Sequence, residues 1–186
     1  MLFGCLNAMV CEITIVFLKL ACNRLIMTYY DEISVGYSEL HGAEQRAKAE
    51  VILQNLKIAP DDELLDVGCG DGAATALFSC RKTGIDPSAG LLKKAPFKTI
   101  HGKAEKLPFP DKSFDIVISL TAVHNFDDVE KSLLEMKRVA KRDIVISVLK
   151  RSSRFQRIEK LINTNFKIVK TVEQQHDIIF FCKKDI

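Results

Sequence analysis

The sequence predicts an α/β domain built on a doubly wound, seven-stranded, mostly parallel sheet that ends in an antiparallel hairpin. Three observations predict it. Short apolar runs alternate with helix-periodic segments from Leu64 to Ile162, as when helices cover both faces of a parallel sheet. The run Phe114 to Leu120 is nearly continuous in apolar residues, which suits a strand buried on both faces. The last two apolar runs are separated only by the polar Glu173-Gln174-Gln175, a hairpin signal.

The elements follow in order. Tyr29 to about Leu56 is helical: Tyr30, Ile33 and Tyr37 recur at helical spacing, and Ala47, Val51, Ile52 and Leu56 share one side of a second run. Pro60-Asp61-Asp62 ends it. Leu64 to Val67 is the first strand, and Gly72 to Phe78 a short helix opening at a glycine turn. Lys82 to Ile85 is the second strand, followed by a helix from Ser88 to Lys94 with Ser88 as its cap. Phe97 to His101 is a short third strand. Residues 104 to 113 are polar, carry Pro108 and Pro110, and form a loop. Phe114 to Leu120 is the fourth strand, Asp127 to Val139 a helix, Asp143 to Leu149 the fifth strand and Phe155 to Ile162 the last helix. Phe166 to Val172 and Asp177 to Cys182 make the hairpin.

Composition narrows the class. With 186 residues, 47% apolar and 27% charged, the chain has the size and balance of one globular domain with a sizeable core. A net charge of +3 does not by itself announce nucleic acid. Six cysteines, none in a C-x-x-C pair, argue against zinc and against a disulfide framework; they read as reduced thiols in a cytoplasmic protein. No metal site is expected. Residues 1–26 are largely apolar but lack a basic n-region, and Glu12 and Lys19 interrupt the run. The expected division is therefore 1–26, an apolar extension outside the working fold, and 27–186, the working domain. A membrane or partner anchor and an extra packed helix are the other readings of 1–26.

The chemistry concentrates at Leu64-Leu65-Asp66-Val67-Gly68-Cys69-Gly70-Asp71-Gly72. A buried strand running into a glycine turn lets backbone approach a ligand closely. Asp86, at the end of the second strand, is a carboxylate suited to two ribose hydroxyls. The glycine spacing is shorter than the G-x-G-x-x-G of dinucleotide sites. Asp66 and Asp71 add negative charge where a diphosphate would meet it. Two carboxylates suit a cationic ligand better, which disfavours a nicotinamide-linked oxidoreductase.

Here the sequence resembles the class I S-adenosylmethionine-dependent methyltransferases, most closely the ubiquinone and menaquinone biosynthesis group known as methyltransferase type 11. Four segments carry the resemblance: residues 64–72; Gly84-Ile85-Asp86-Pro87-Ser88; Gly102-Lys103-Ala104-Glu105-Lys106-Leu107-Pro108-Phe109 running on to Ser113-Phe114-Asp115-Ile116-Val117; and Glu135-Met136-Lys137-Arg138-Val139. The resemblance as a whole covers about residues 29 to 183. The resemblance implies a Rossmann-like methyltransferase fold and S-adenosyl-L-methionine as cofactor. It sets the backbone of Gly68, Cys69 and Gly70 against the cofactor, and Asp66 at its amino-acid part. Asp86 would take the ribose, with Ile85 and Pro87 flanking the adenine, Ala104 at the adenine edge and Leu120 completing the pocket. The family usually has Asp just before that alanine, bound to the exocyclic amine. Lys103 stands there instead, and Glu105 is the substitute. Tyr37, with Tyr29 and Tyr30, resembles the aromatic element that closes over the cofactor.

Each residue also has a plainer reading. Asp66 and Asp86 could serve only their turns, Cys69 could be a small packed residue, and the tyrosines could be core. Methyl transfer from a sulfonium needs alignment and exclusion of water more than a catalytic triad. A base matters only when the acceptor must lose a proton. His124 is the candidate base, in the loop Thr121-Ala122-Val123-His124-Asn125-Phe126 after the fourth strand; its plainer reading is packing of the next helix. This loop is not the N-P-P-[YF] motif of methylases acting on amide-like nitrogens. The acceptor is open between a small molecule and RNA or protein, with an activator protein as a candidate partner and a membrane not expected. Lys141, Arg142, Lys150, Arg151, Arg154 and Arg157 form a basic run that suits RNA phosphates or, more plainly, a solvated face. A non-catalytic cofactor-binding scaffold is the alternative function.

Overall fold

The computed structural model describes residues 34–184, with side chains from residue 42 onward. The proposed extension 1–26, Tyr29, Tyr30 and the Tyr37 side chain lie outside the described residues. Among the described residues, four α-helices and seven strands follow one another: α1 (Ser34–Asn55), β1 (Glu63–Val67), β2 (Arg81–Asp86), α2 (Ala89–Leu92), β3 (Lys98–His101), β4 (Phe114–Leu120), α3 (Val129–Val139), β5 (Ala140–Leu149), α4 (Phe155–Asn165), β6 (Lys167–Glu173) and β7 (Asp177–Lys183). The sheet order is β3-β2-β1-β4-β5-β7-β6. β1 to β5 run parallel, while β7 is antiparallel to both β5 and β6. The doubly wound sheet and its terminal hairpin are those the alternation predicts.

Strand periodicity divides the core in two. Leu64, Ile116, Ile118 and Val145 pack on one face with Ala49 and Ile52 of α1. Leu65, Val67, Val117, Ile144 and Ile146 pack on the other with Leu133 and Met136 of α3 and Ile158 and Ile162 of α4. Neighbouring residues of one strand thus feed opposite layers, which is why β4 reads as an unbroken apolar run.

Local differences from the sequence reading have physical causes. The helix expected over 72–78 is only a 3-10 turn, Thr75–Leu77. Gly72 has φ +74°, and a Cβ there would lie 2.6 Å from the Phe97 ring, so the chain is still turning where the helix was to begin. α2 spans only Ala89–Leu92, but Ser88 Oγ caps it by accepting from the Leu91 amide. α3 begins two residues later than expected, capped by Asp128. β5 begins three residues earlier, at Ala140, because Ala140 pairs with Phe114 across a register shift. Among the described residues no helix is long and apolar enough to cross a membrane, no cluster of side chains could hold a metal ion, and Cys69, Cys80 and Cys182 are free thiols.

Candidate functional site

The chain leaves β1 to pair outward through β2 and β3, then crosses back to β4 on the other side of β1. At such a switch point the loops after adjacent strands diverge and open a crevice at the carboxyl ends. A cavity of about 150 Å³ occupies it. Gly68 and Gly70 lie beneath, Asp86 and Pro87 follow β2, Ala104 and Glu105 follow β3, and Leu120 to Ala122 follow β4. Asn125, Phe126 and Asp127 complete the lining with Lys103, whose Nζ meets Asp127 Oδ2 at 2.8 Å.

The turn at the base is held by its glycines. Gly68, Gly70 and Gly72 all have positive φ, at +79°, +56° and +74°, a region that costs other residues about 1–2 kcal/mol. At Gly68 a Cβ would also come within 2.4 Å of the Ala122 Cβ, so backbone there lies directly against the β4 loop. The Asp86 carboxylate fixes the turn from the side: Oδ2 accepts from the Gly70 amide at 2.9 Å and Oδ1 from the Ser88 amide at 2.8 Å.

Asp66 sits under the same turn, buried. Its Oδ2 accepts from the Thr75 hydroxyl, while Oδ1 is buried with no hydrogen-bond partner. Burial pushes its carboxyl up to about 7, the Thr75 bond opposes this, and the charge of Asp86 adds to it. A cation above the turn would relieve this strain on the ionised form, even without touching the carboxylate. That is the ligand charge the carboxylates point to, and the orphaned oxygen fits it.

Thr121 carries a second irregularity, φ +56° at a β-branched residue. Its amide donates to Ser147 Oγ at 2.7 Å and its Oγ1 accepts from Lys48 Nζ at 2.6 Å. Lys48 is fully buried and pairs with the buried Asp177 at 2.7 Å and with Glu44 at 2.8 Å. One lysine of α1 thereby ties the β4 loop to the start of β7. Lys48 lies four residues before Ile52, on the apolar stripe of α1, and that placement was the sequence signal for its burial. The loop is pinned again by Arg154, whose Nη1 donates to the carbonyls of His124 at 2.9 Å and Phe126 at 2.7 Å. No motif marks Arg154.

The predicted site residues divide accordingly. Gly68, Gly70, Asp86, Pro87, Ala104, Glu105 and Leu120 line the one cavity. Cys69 does not; its Sγ packs where a Cβ on Gly84 would fall, at 2.5 Å, and burial raises its thiol pKa. Asp66 lies below the lining. His124 is also off the cavity. Its Nδ1 is buried without a partner, and burial lowers its pKa against the attraction of Asp177. Glu105 is engaged at the rim, where Oε1 accepts from the Asp128 amide at 3.2 Å. In the basic run, Lys141 pairs with Asp115, Arg142 with Asp62 and Asp143, and Lys150 with Glu173; Arg154 is spent on the loop carbonyls.

Residues 65–147 match the family described as "Methyltransferase domain". The chain is 31% identical over 151 residues to an uncharacterised protein of Methanocaldococcus jannaschii, covering 78% of this chain and 60% of that one. It is 31% identical over 160 residues to a demethylmenaquinone methyltransferase of Symbiobacterium thermophilum, covering 73% and 63%. The chain thus spans about three fifths of the length of these relatives. A solved methyltransferase of Haloferax volcanii, in complex with the Trm112 activator, shares the fold at 15% identity, with a TM-score of 0.71 over 84% of this chain and 98% of that one. The matched segment, residues 65–147, is a methyltransferase domain, and the likeness to the Haloferax volcanii structure is one of fold.

Proposed function

We propose that this protein binds S-adenosyl-L-methionine in the switch-point cavity and transfers its methyl group to an acceptor arriving over the carboxyl ends of β4 and β5. The observation that carries the reading is the acidic turn: Asp86 at the lip and Asp66, with an orphaned oxygen, below it. The cofactor would supply a methyl already activated on a positively charged sulfur, so no triad is needed. Asp86 holds the ribose hydroxyls while keeping the Gly70 amide in place. Gly68 and Gly70 bring backbone against the amino-acid part, and Cys69 keeps the turn between them packed on Gly84. Asp66 offers negative charge to the ligand's cationic groups. Ala104 and Leu120 wall the adenine and the sulfur side, and Pro87 and Glu105 fix the two rims.

His124 is the acceptor-side base. Burial lowers its pKa, which favours the neutral imidazole, the form that can take a proton. Asn125 and Phe126 are the groups an acceptor would meet first. A small-molecule acceptor is favoured over RNA, because most cations of the basic run already face carboxylates or carbonyls. The domain is assigned to the cytoplasm, in keeping with its free thiols.

Calorimetric titration of S-adenosylhomocysteine into the full chain tests the reading. One saturable site per chain is expected, with affinity reduced about 100-fold in Asp86→Ala through loss of charge-assisted hydrogen bonds. Wild-type protein that is folded by circular dichroism yet binds nothing would overturn it.

A further inference from the structure

Lys48 of α1 is fully buried, and the cofactor reading gives it no task. Its Nζ meets one oxygen from each of three elements: Glu44 Oε1 of its own helix at 2.8 Å, Asp177 Oδ2 at the start of β7 at 2.7 Å, and Thr121 Oγ1 after β4 at 2.6 Å. Three oxygens match the three protons of the ammonium. Apolar packing is often as stable as a buried ion pair, so the worth of Lys48 lies in what it fixes. Thr121 is the neighbour that needs fixing, because its φ of +56° is a conformation that a β-branched residue rarely adopts. Ser147 Oγ holds the same turn by accepting from the Thr121 amide at 2.7 Å, and Asp177 Oδ1 accepts from the Thr121 hydroxyl at 3.3 Å.

Thr121 lines the cavity, as do Leu120 before it and Ala122 after it. The left-handed turn at Thr121 sets where Ala122 falls. A Cβ on Gly68 would come within 2.4 Å of the Ala122 Cβ, so the loop after β4 and the glycine turn after β1 touch at that point. A chain of contacts thus runs from Lys48 through Thr121 and Ala122 to Gly68. Resting on the cofactor reading above, we propose that Lys48 is a positioning residue of the methyl-donor site: it holds Thr121 in its left-handed turn and so keeps Ala122 seated against Gly68, with the β4 wall of the cavity fixed on the glycine turn. Lys48 itself lies off the cavity lining. It acts through Thr121, and Asp177 and Glu44 hold it in place. By linkage, the docking of α1 and the occupancy of the cavity favour one another.

The test is a double-mutant cycle read by calorimetry of S-adenosylhomocysteine on the full chain. Lys48→Met keeps most of the side chain's length and removes its charge, and should weaken binding about tenfold. Glycine adopts positive φ with no Cβ to clash, so Thr121→Gly makes a turn that needs no holding. Adding Lys48→Met to Thr121→Gly should therefore weaken binding by no more than about threefold. Where Lys48→Met alone fails to fold, Lys48→Met with Asp177→Leu removes the buried pair from both sides and takes its place in the cycle, with the same two outcomes expected. A merely structural Lys48 would lower the melting temperature without changing the affinity of the folded protein, or would cost the same factor with and without Thr121→Gly. Either result overturns the assignment while leaving the cofactor reading intact. Folded wild-type protein that binds no S-adenosylhomocysteine overturns both.

Discussion

The two ends of the sheet treat their carboxylates in opposite ways. At the amino end, each buried carboxylate meets a cation. Asp62 accepts from Arg142 at 2.6 Å, and Asp143 from Arg142 at 3.0 Å and Lys183 at 2.5 Å. Asp115 accepts from Lys141 and from the Glu63 amide. Arg142 holds the Asp62 carboxyl below the ordinary carboxylate range, and Arg138 does the same for Glu135. At the carboxyl end the glycine turn carries Asp66 with one oxygen unpartnered and a pKa raised by burial, while the next loop holds Thr121 at positive φ. The Lys48–Asp177 pair is the paired exception there, and it braces that same Thr121. One end is satisfied by the protein alone; the other leaves Asp66 Oδ1 buried without a hydrogen-bond partner and Thr121 at positive φ.

This contrast predicts opposite responses to pH. The Asp66 pKa in the folded chain is raised to about 7, so between about pH 4 and 7 the folded state holds a proton that the unfolded state has lost. Stability of the free protein should fall as pH rises through that window, by at most about 4 kcal/mol. Asp66→Asn should remove the fall and be the more stable protein at pH 8, by urea unfolding across a pH series. Equal pH slopes for the two proteins would erase the contrast.

A smaller effect is expected at the other end. Arg142→Ala leaves Asp62 without its cation and should cost about 2 kcal/mol at pH 7, less than a fully buried pair because the arginine is two-fifths exposed. Here the sign reverses. Asp62 is depressed, so its contribution is present above its unfolded pKa and lost as pH falls below about 4. Wild type and Arg142→Ala should converge in acid.

The smallest change sharpens the comparison. Arg154→Ala removes two hydrogen bonds to the acceptor loop and should cost about 1 kcal/mol of stability. Its larger readout is cofactor affinity, since Phe126 and Asp127 line the cavity. A fall in melting temperature with unchanged S-adenosylhomocysteine affinity would show that the loop is held without Arg154.

Much of this was legible before any coordinates, for local reasons. Apolar periodicity specifies β4 as doubly buried, and its alternating residues do feed two layers. The Ser88 cap depends on three consecutive residues. The glycine turn announces itself because positive φ and close backbone approach leave few other residue types. Those features sit within one turn or one strand, where sequence neighbours are spatial neighbours.

What the sequence by itself determined was the strand order's raw material, the acidic glycine turn, and the motifs that match a methyltransferase domain. The tertiary structure alone decided which groups meet across long separations. It put Lys48 on Thr121, 73 residues away, and Arg142 on Asp62, 80 residues away. It brought Asp127 to Lys103 across the cavity and turned His124 out of it. The physical reason is that charge pairing in a folded chain depends on burial and on the sheet's crossing at β1 and β4, neither of which leaves a local trace in residue order.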